Sequence, residues 1–171
     1  MTRAFRIHCC AFATFTLLAL MGCSKPAPPA APAALIGAWR ASVQFDSGSF
    51  ATIKDLQFLY VFNAGGTMTE SSNYDGVPPV PPAYGEWRAI APDVFEAKYT
   101  FFTTQPPVDV KAIPAGGGWM PSGHGVLTER IQLAAGGRAY DSTLKLELFD
   151  RAGLPAPGGG EAKAHAARAG F

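Results

Sequence analysis

The chain has 171 residues, 14 basic and 13 acidic, and only 16% of its positions are charged. A near-neutral balance with scattered charges is a poor match to a polyanion-binding protein, and no nucleic-acid partner is expected. With 19 glycines, 15 prolines and 12% aromatic residues, the composition points to short strands and turns in one folded domain, not to long helices.

At the N-terminus Arg3 and Arg6 precede an apolar run from Ala11 to Met21, which ends in Leu20-Met21-Gly22-Cys23. A basic start, a short apolar stretch and small residues before a cleavage point are the layout of a secretory signal. The run is too short for a bilayer core, which needs about 20 apolar residues, and it contains Thr14 and Thr16. A membrane-spanning N-terminal anchor and an ordinary secretory signal cut near Ala30 or Ala34 are the alternative readings. Leu20, Gly22 and Cys23 resemble the lipobox of bacterial lipoproteins. That resemblance implies cleavage after residue 22, acylation of Cys23 and attachment to a membrane through lipid. Ser24 at the next position implies, in a Gram-negative host, the outer membrane facing the periplasm. Each buried acyl methylene contributes about 0.8 kcal/mol, so several chains anchor firmly.

The cysteines are Cys9, Cys10 and Cys23. Two fall in the removed segment and the third is the lipidated one. The mature domain then has no thiol for a disulfide, a metal site or a nucleophile. Loss of Arg3 and Arg6 leaves 12 basic against 13 acidic residues. Residues 23–34 join Cys23 to a Pro/Ala linker, Lys25-Pro-Ala-Pro-Pro-Ala-Ala-Pro-Ala-Ala. An extended proline-rich linker at about 3.1 Å per residue is a spacer of roughly 30 Å. A tail with no spacer role has the same composition.

Residues 35–171 form the expected domain, and period-two alternation dominates them. Gly37, Trp39, Ala41, Val43 and Phe45 alternate with Arg40, Ser42, Gln44 and Asp46. Phe58, Tyr60 and Phe62 lead into Asn63-Ala64-Gly65-Gly66, a hairpin signal before Thr67-Met68-Thr69. Gly85, Trp87 and Ala89 form the next set, then Phe95, Ala97, Tyr99 and Phe101. Leu127, Ile131 and Leu133 share a parity; Gly136-Gly137 turns the chain; Tyr140, Leu144, Leu146 and Leu148 alternate again. Asp150-Arg151-Ala152-Gly153 is the next turn, and a last strand runs from Glu161 to Ala169. The alanines there also suit a helix. About eight strands in sequence order most simply close into a single antiparallel up-and-down β-barrel, which leaves no exposed edge. The fold class is therefore all-β. The Gly/Pro-rich stretch from Gln105 to Gly123 is the longest connection and is expected to cover the barrel mouth.

Gly37-Ala38-Trp39 on the first strand resembles the Gly-x-Trp motif of the lipocalin-like (calycin) barrels. Phe62-Asn63-Ala64-Gly65-Gly66-Thr67, Gly85-Glu86-Trp87 and the Phe149-Asp150 turn resemble the same group. The resemblance implies a small apolar ligand in the barrel. It also implies a structural stack of a basic side chain on Trp39, with Arg168 the counterpart by position. Tyr60, Tyr99, Phe101, Tyr140 and Leu146 are the candidate pocket residues, although aromatic core packing explains the same alternation. Tyr84 belongs to the same aromatic set.

Glu129 shares parity with Leu127 and Ile131, so it is either an interior polar group that orients a ligand or an outward residue released by a bulge. Burying a carboxylate is costly, and the bulge is the preferred reading. His124, between Gly123 and Gly125, reads as a solvent-facing loop histidine. No second histidine stands at metal-ligand spacing from it or from His165, so no metal or cofactor is expected. Catalytic motifs of the Gly-x-Ser-x-Gly, His-Glu-x-x-His, P-loop and dinucleotide types are absent. The expected function is a lipid-anchored envelope protein that binds a small apolar molecule. A structural or assembly lipoprotein that contacts a protein partner through its outer surface is the first alternative, and an enzyme with a barrel pocket the second.

Overall fold

The computed structural model describes residues 34–74, 81–107, 109, 111 and 119–170. Cys23, the signal and the linker up to residue 33 lie outside the described residues, as do 75–80 and 112–118.

Each alternating segment is a strand: β1 (Gly37–Phe45), β2 (Leu56–Phe62), β3 (Thr67–Ser72), β4 (Ala83–Ala91), β5 (Val94–Gln105), β6 (Met120–Leu133), β7 (Ala139–Asp150) and β8 (Pro155–Arg168). They form a closed barrel in sequence order, every neighbouring pair antiparallel. Closure falls on β1, which pairs with β2 on one side and β8 on the other. Trp39 thus faces Tyr60 across one ladder and Arg168 across the next. The expected all-β up-and-down barrel is the fold, and its architecture is compatible with a lipocalin-like one.

β8 is a strand despite its alanines. Helix propensity differs between residues by well under 1 kcal/mol for most types. Leaving the facing edges of β1 and β7 unpaired costs many backbone hydrogen bonds. β8 also starts earlier than Glu161, at Pro155. Its buried alanines, Ala162, Ala164 and Ala166, are small enough to face the aromatic side chains that fill the barrel.

The connections sort by length. Residues 63–66, 92–93 and 134–138 turn tightly at the end where β1 begins. The long connections 46–55, 73–82 and 106–119 leave and rejoin the barrel at the opposite end, where the short turn 151–154 also lies. The first hairpin needs left-handed backbone, which Gly65 and Gly66 supply at φ of 96° and 92°. In turn 151–154 the Asp150 carboxylate accepts the backbone N–H groups of Ala152 at 2.8 Å and Leu154 at 2.9 Å.

The tight-turn end is plugged. Trp39 is fully buried, and its Nε1 donates to the Leu35 carbonyl at 2.9 Å. Tyr140 packs on it with ring centroids 5.0 Å apart. The Arg168 guanidinium carbon lies 4.1 Å from the Trp39 ring centroid. That guanidinium also donates to the carbonyls of Ile36, Ala34 and Gly137. Phe62, Trp87 and Phe95 continue the aromatic layer, with centroid spacings of 5.9 and 5.8 Å.

Candidate functional site

Above the plug the interior turns polar. Tyr60 on β2, Tyr99 on β5, Glu129 on β6, and Tyr140 and Ser142 on β7 all point inward and are buried. β3 adds Glu70, two residues after the buried Met68, with 6% of its surface exposed. Its cross-strand partners are Tyr60 and Ala83.

Glu129 is the hub. Ser142 Oγ donates to its Oε1 at 2.6 Å, and the Tyr99 hydroxyl donates to its Oε2 at 3.0 Å. The Tyr60 and Tyr99 oxygens stand 3.2 Å apart. Since the Tyr99 proton is committed to Glu129, Tyr60 is the donor in that pair. The chain therefore runs Tyr60 to Tyr99 to Glu129, and Ser142 closes it from the other side.

Two polar atoms stand outside this network. Among the described residues Glu70 Oε1 and the Tyr140 hydroxyl are buried with no hydrogen-bond partner. Leaving a buried polar group unpaired costs about 1–3 kcal/mol.

Burial pushes the carboxyl of Glu129 above its ordinary range, against the pull of the Ser142 and Tyr99 hydrogen bonds. Burial, and then the nearby charge of Glu129, raise the pKa of Glu70 to about 8. Tyr60, Tyr99 and Tyr140 are each pushed well above the ordinary phenol value, mainly by burial and then by Glu129. A carboxyl that holds its proton near neutral pH can donate a hydrogen bond to a guest, or release the proton when a cation arrives.

The layer above the polar cluster is apolar again. Leu127, Leu146, Phe58 and Val43 are buried there, and Phe101 and Leu148 are partly buried against them. Gly125 makes room for Phe101, since a Cβ on it would meet the Phe101 ring at 2.4 Å. Connection 46–55 folds over this end. Phe50 and Ile53 pack on the core, and Phe50 bridges Phe45 and Tyr74 with centroid spacings of 5.4 and 5.6 Å. The connection docks on β8 through Ser49 N–H to the Gly158 carbonyl at 3.0 Å and the Ser47 hydroxyl, which accepts from Glu161 N–H at 3.1 Å.

The structure brings Tyr60, Tyr99, Glu129 and Tyr140 together in one cluster. Phe101 and Leu146 lie above it, and Trp39 with Arg168 below. Four sequence expectations are corrected. Glu129 is inside, not released by a bulge: the β5–β6 ladder runs in unbroken register from Val94↔Gln132 to Thr103↔Gly123, and Tyr99 and Ser142 supply the partners that offset its burial. Tyr84 faces out, 63% exposed, because the inward positions of β4 are Ala83, Gly85 and Trp87. His124 is in strand β6, half-buried, its ring stacked on Phe149 at 4.9 Å. Gln105 belongs to β5 and Met120 to Gly123 to β6, and residues 108, 110 and 112–118 of the stretch expected to cover the mouth lie outside the described residues. The described cover is 46–55.

Sequence reasoning missed Glu70, Ser142, Phe50 and Ile53. Glu70 was legible by parity from Met68, and Ser142 by parity from Tyr140 and Leu144. The docked connection had a fainter signal in Gly158-Gly159-Gly160, whose bare backbone lets 46–55 lie close. A Cβ on Gly160 would stand 2.1 Å from the Ser47 carbonyl oxygen.

The fold and the buried cluster define a closed β-barrel with a polar belt inside an apolar interior. No family model matches the chain, and no curated protein matches it.

Proposed function

We propose that the chain is an exported lipoprotein whose lipocalin-like barrel binds a small, mostly apolar molecule. The observation that carries the binding reading is the belt itself. Unpartnered Glu70 Oε1 and Tyr140 OH sit between an aromatic plug and an apolar upper layer. Ligand pockets have this make-up: apolar walls with a few polar groups that orient the guest. Connection 46–55 lies over the end by which such a guest enters.

The test is calorimetric. Indole, a neutral aromatic probe, is titrated into the full chain held in phosphatidylcholine nanodiscs, with empty nanodiscs as the blank. Leu146→Trp places an indole ring of the protein's own in the upper layer, and volume added to such a site excludes a guest. Binding is expected to weaken at least tenfold, which corresponds to about 1.4 kcal/mol. Equal binding by this variant, with its strand content intact, moves the function to the outer surface.

That outer-surface reading has an observation of its own. Leu59, Val61 and Tyr84 are 48%, 42% and 63% exposed. Val61 and Tyr84 lie in one cross-strand row through Thr69. A protein partner in the envelope is the chemistry such a row suits.

The export and anchoring part of the proposal rests on Leu20-Met21-Gly22-Cys23 behind the basic, apolar leader. In a Gram-negative host the protein then lies on the outer membrane, facing the periplasm. The described chain enters β1 at the plugged end, so a tether there leaves the opposite end clear. Cells fed labelled palmitate are expected to label the wild-type chain and not Cys23→Ser. Equal labelling of the two removes Cys23 as the anchor.

A further inference from the structure

We infer that the polar belt recognises the protonated amine of a ligand with an apolar or aromatic body, and that Glu70 is its counter-charge. This inference rests on the pocket reading above and narrows it to a chemical class.

The interior has one sign of charge. The buried titratable side chains among the described residues are Glu70, Glu129, Tyr60, Tyr99 and Tyr140. No lysine, arginine or histidine is buried with them. Glu70 is faced by Tyr60 from β2, Tyr99 from β5 and Glu129 from β6, and Tyr140 from β7 lies beside Tyr60 and Glu129. The inward positions of β1 and β4 and the buried positions of β8 carry no ionisable group: they are Trp39, Ala41, Val43 and Phe45, then Ala83, Gly85 and Trp87, then Ala162, Ala164 and Ala166. A carboxylate guest would enter a site that already holds two carboxyl groups and three phenols. A cationic guest meets only complementary charge.

The two carboxyls differ in what they have left to offer. Both oxygens of Glu129 accept hydroxyl donors from the protein. Glu70 Oε1 accepts nothing from the described residues. An ammonium has three donors and no acceptor, which matches an unpaired carboxylate oxygen better than it matches a saturated one. The walls suit a cation too. Tyr60 packs against Tyr99 and Tyr140 with ring centroids 6.1 and 6.5 Å apart, so three phenol rings are clustered in one layer of the interior. Aromatic rings attract cations through their faces, most strongly when water is excluded.

A proton accompanies the exchange. Glu70 keeps its carboxyl proton near neutral pH because it is buried beside Glu129. An ammonium beside it favours the ionised form, so binding expels that proton to solvent.

Three probes share one aromatic body and differ in the head: phenethylamine, phenethyl alcohol and hydrocinnamate. Each is titrated calorimetrically into the full chain in phosphatidylcholine nanodiscs at pH 7. The amine is expected to bind at least tenfold tighter than the alcohol, and hydrocinnamate to show no binding at the same concentrations. Titration of the amine in two buffers of different ionisation enthalpy should report proton release, which the alcohol lacks. Glu70→Gln is expected to bring amine and alcohol to equal affinity and to abolish the proton release. Its retained binding of the alcohol shows that the barrel remains folded. Amine and alcohol of equal affinity in the wild type overturn the inference and leave the pocket reading intact. So does binding of indole with no binding of the amine. An amine preference that survives Glu70→Gln removes Glu70 from the role. If indole and all three probes fail to bind, the pocket reading itself falls.

Discussion

Trp39→Ala is expected to lower the stability of the barrel by about 3–5 kcal/mol, the range for truncating a large buried aromatic residue. The plug explains the size of the effect. Trp39 is fully buried at the end where β1 meets both β2 and β8. Its loss opens a cavity beside Tyr140, removes the donor to the Leu35 carbonyl and takes away the ring under Arg168. Small alanines on β8 cannot close the gap. Arg168→Ala should cost less, about 1–2 kcal/mol. It breaks hydrogen bonds to three carbonyls at the end of the barrel but leaves the core filled. The double variant should fall short of the sum by roughly 0.5–1 kcal/mol, the share owed to the cation–ring contact. Urea unfolding followed by circular dichroism measures all three. A cost below about 1 kcal/mol for Trp39→Ala would mean that the plug is not part of the core.

Stability should also fall as pH rises from 5 to 8, by about 2–4 kcal/mol, against a ceiling of about 1.4 kcal/mol per pH unit for one group. The sign follows from Glu70. Its carboxyl titrates near 4.5 when exposed and near 8 when folded. Between these values the folded chain holds a proton that the unfolded chain has released. Raising the pH therefore favours unfolding. The stabilisation is fully present below about pH 4.5 and is lost as pH rises through about 8. Glu129 is shifted in the same direction and adds to the slope. Tyr60, Tyr99, Glu129 and Tyr140 are buried in the same cluster, and none of them supplies a positive charge to reverse the trend. Glu70→Gln should flatten the dependence and exceed the wild type in stability at pH 8, since an amide has no charge to bury. Urea midpoints at pH 5, 6, 7 and 8 decide the matter. A midpoint that is constant or rises with pH over this window overturns the buried-acid account.

The barrel was legible in the sequence because a strand buried on one face writes its pattern locally. Trp39-x-Ala41-x-Val43 and Tyr140-x-Ser142-x-Leu144 carry it in every second residue, whatever lies beyond. The turns were legible for the same local reason: Gly65-Gly66 and Asp150 act on their own backbone. β8 was ambiguous, as alanine alternation fits a strand and alanine propensity fits a helix. The free edges of β1 and β7 decided it, and an edge belongs to the whole sheet. The site divides in the same way. Tyr60, Tyr99 and Tyr140 announced an inward aromatic set by alternation. Glu129 did not announce its partners, because Tyr99 and Ser142 are neighbours only after the barrel closes. Desolvating a carboxylate is so costly that sequence alone argued for placing it outside. Hydrogen bonds from two other strands reverse that balance, and only the closed barrel brings them within reach. Glu70, left without such partners, owes its raised pKa and its free oxygen to tertiary structure alone.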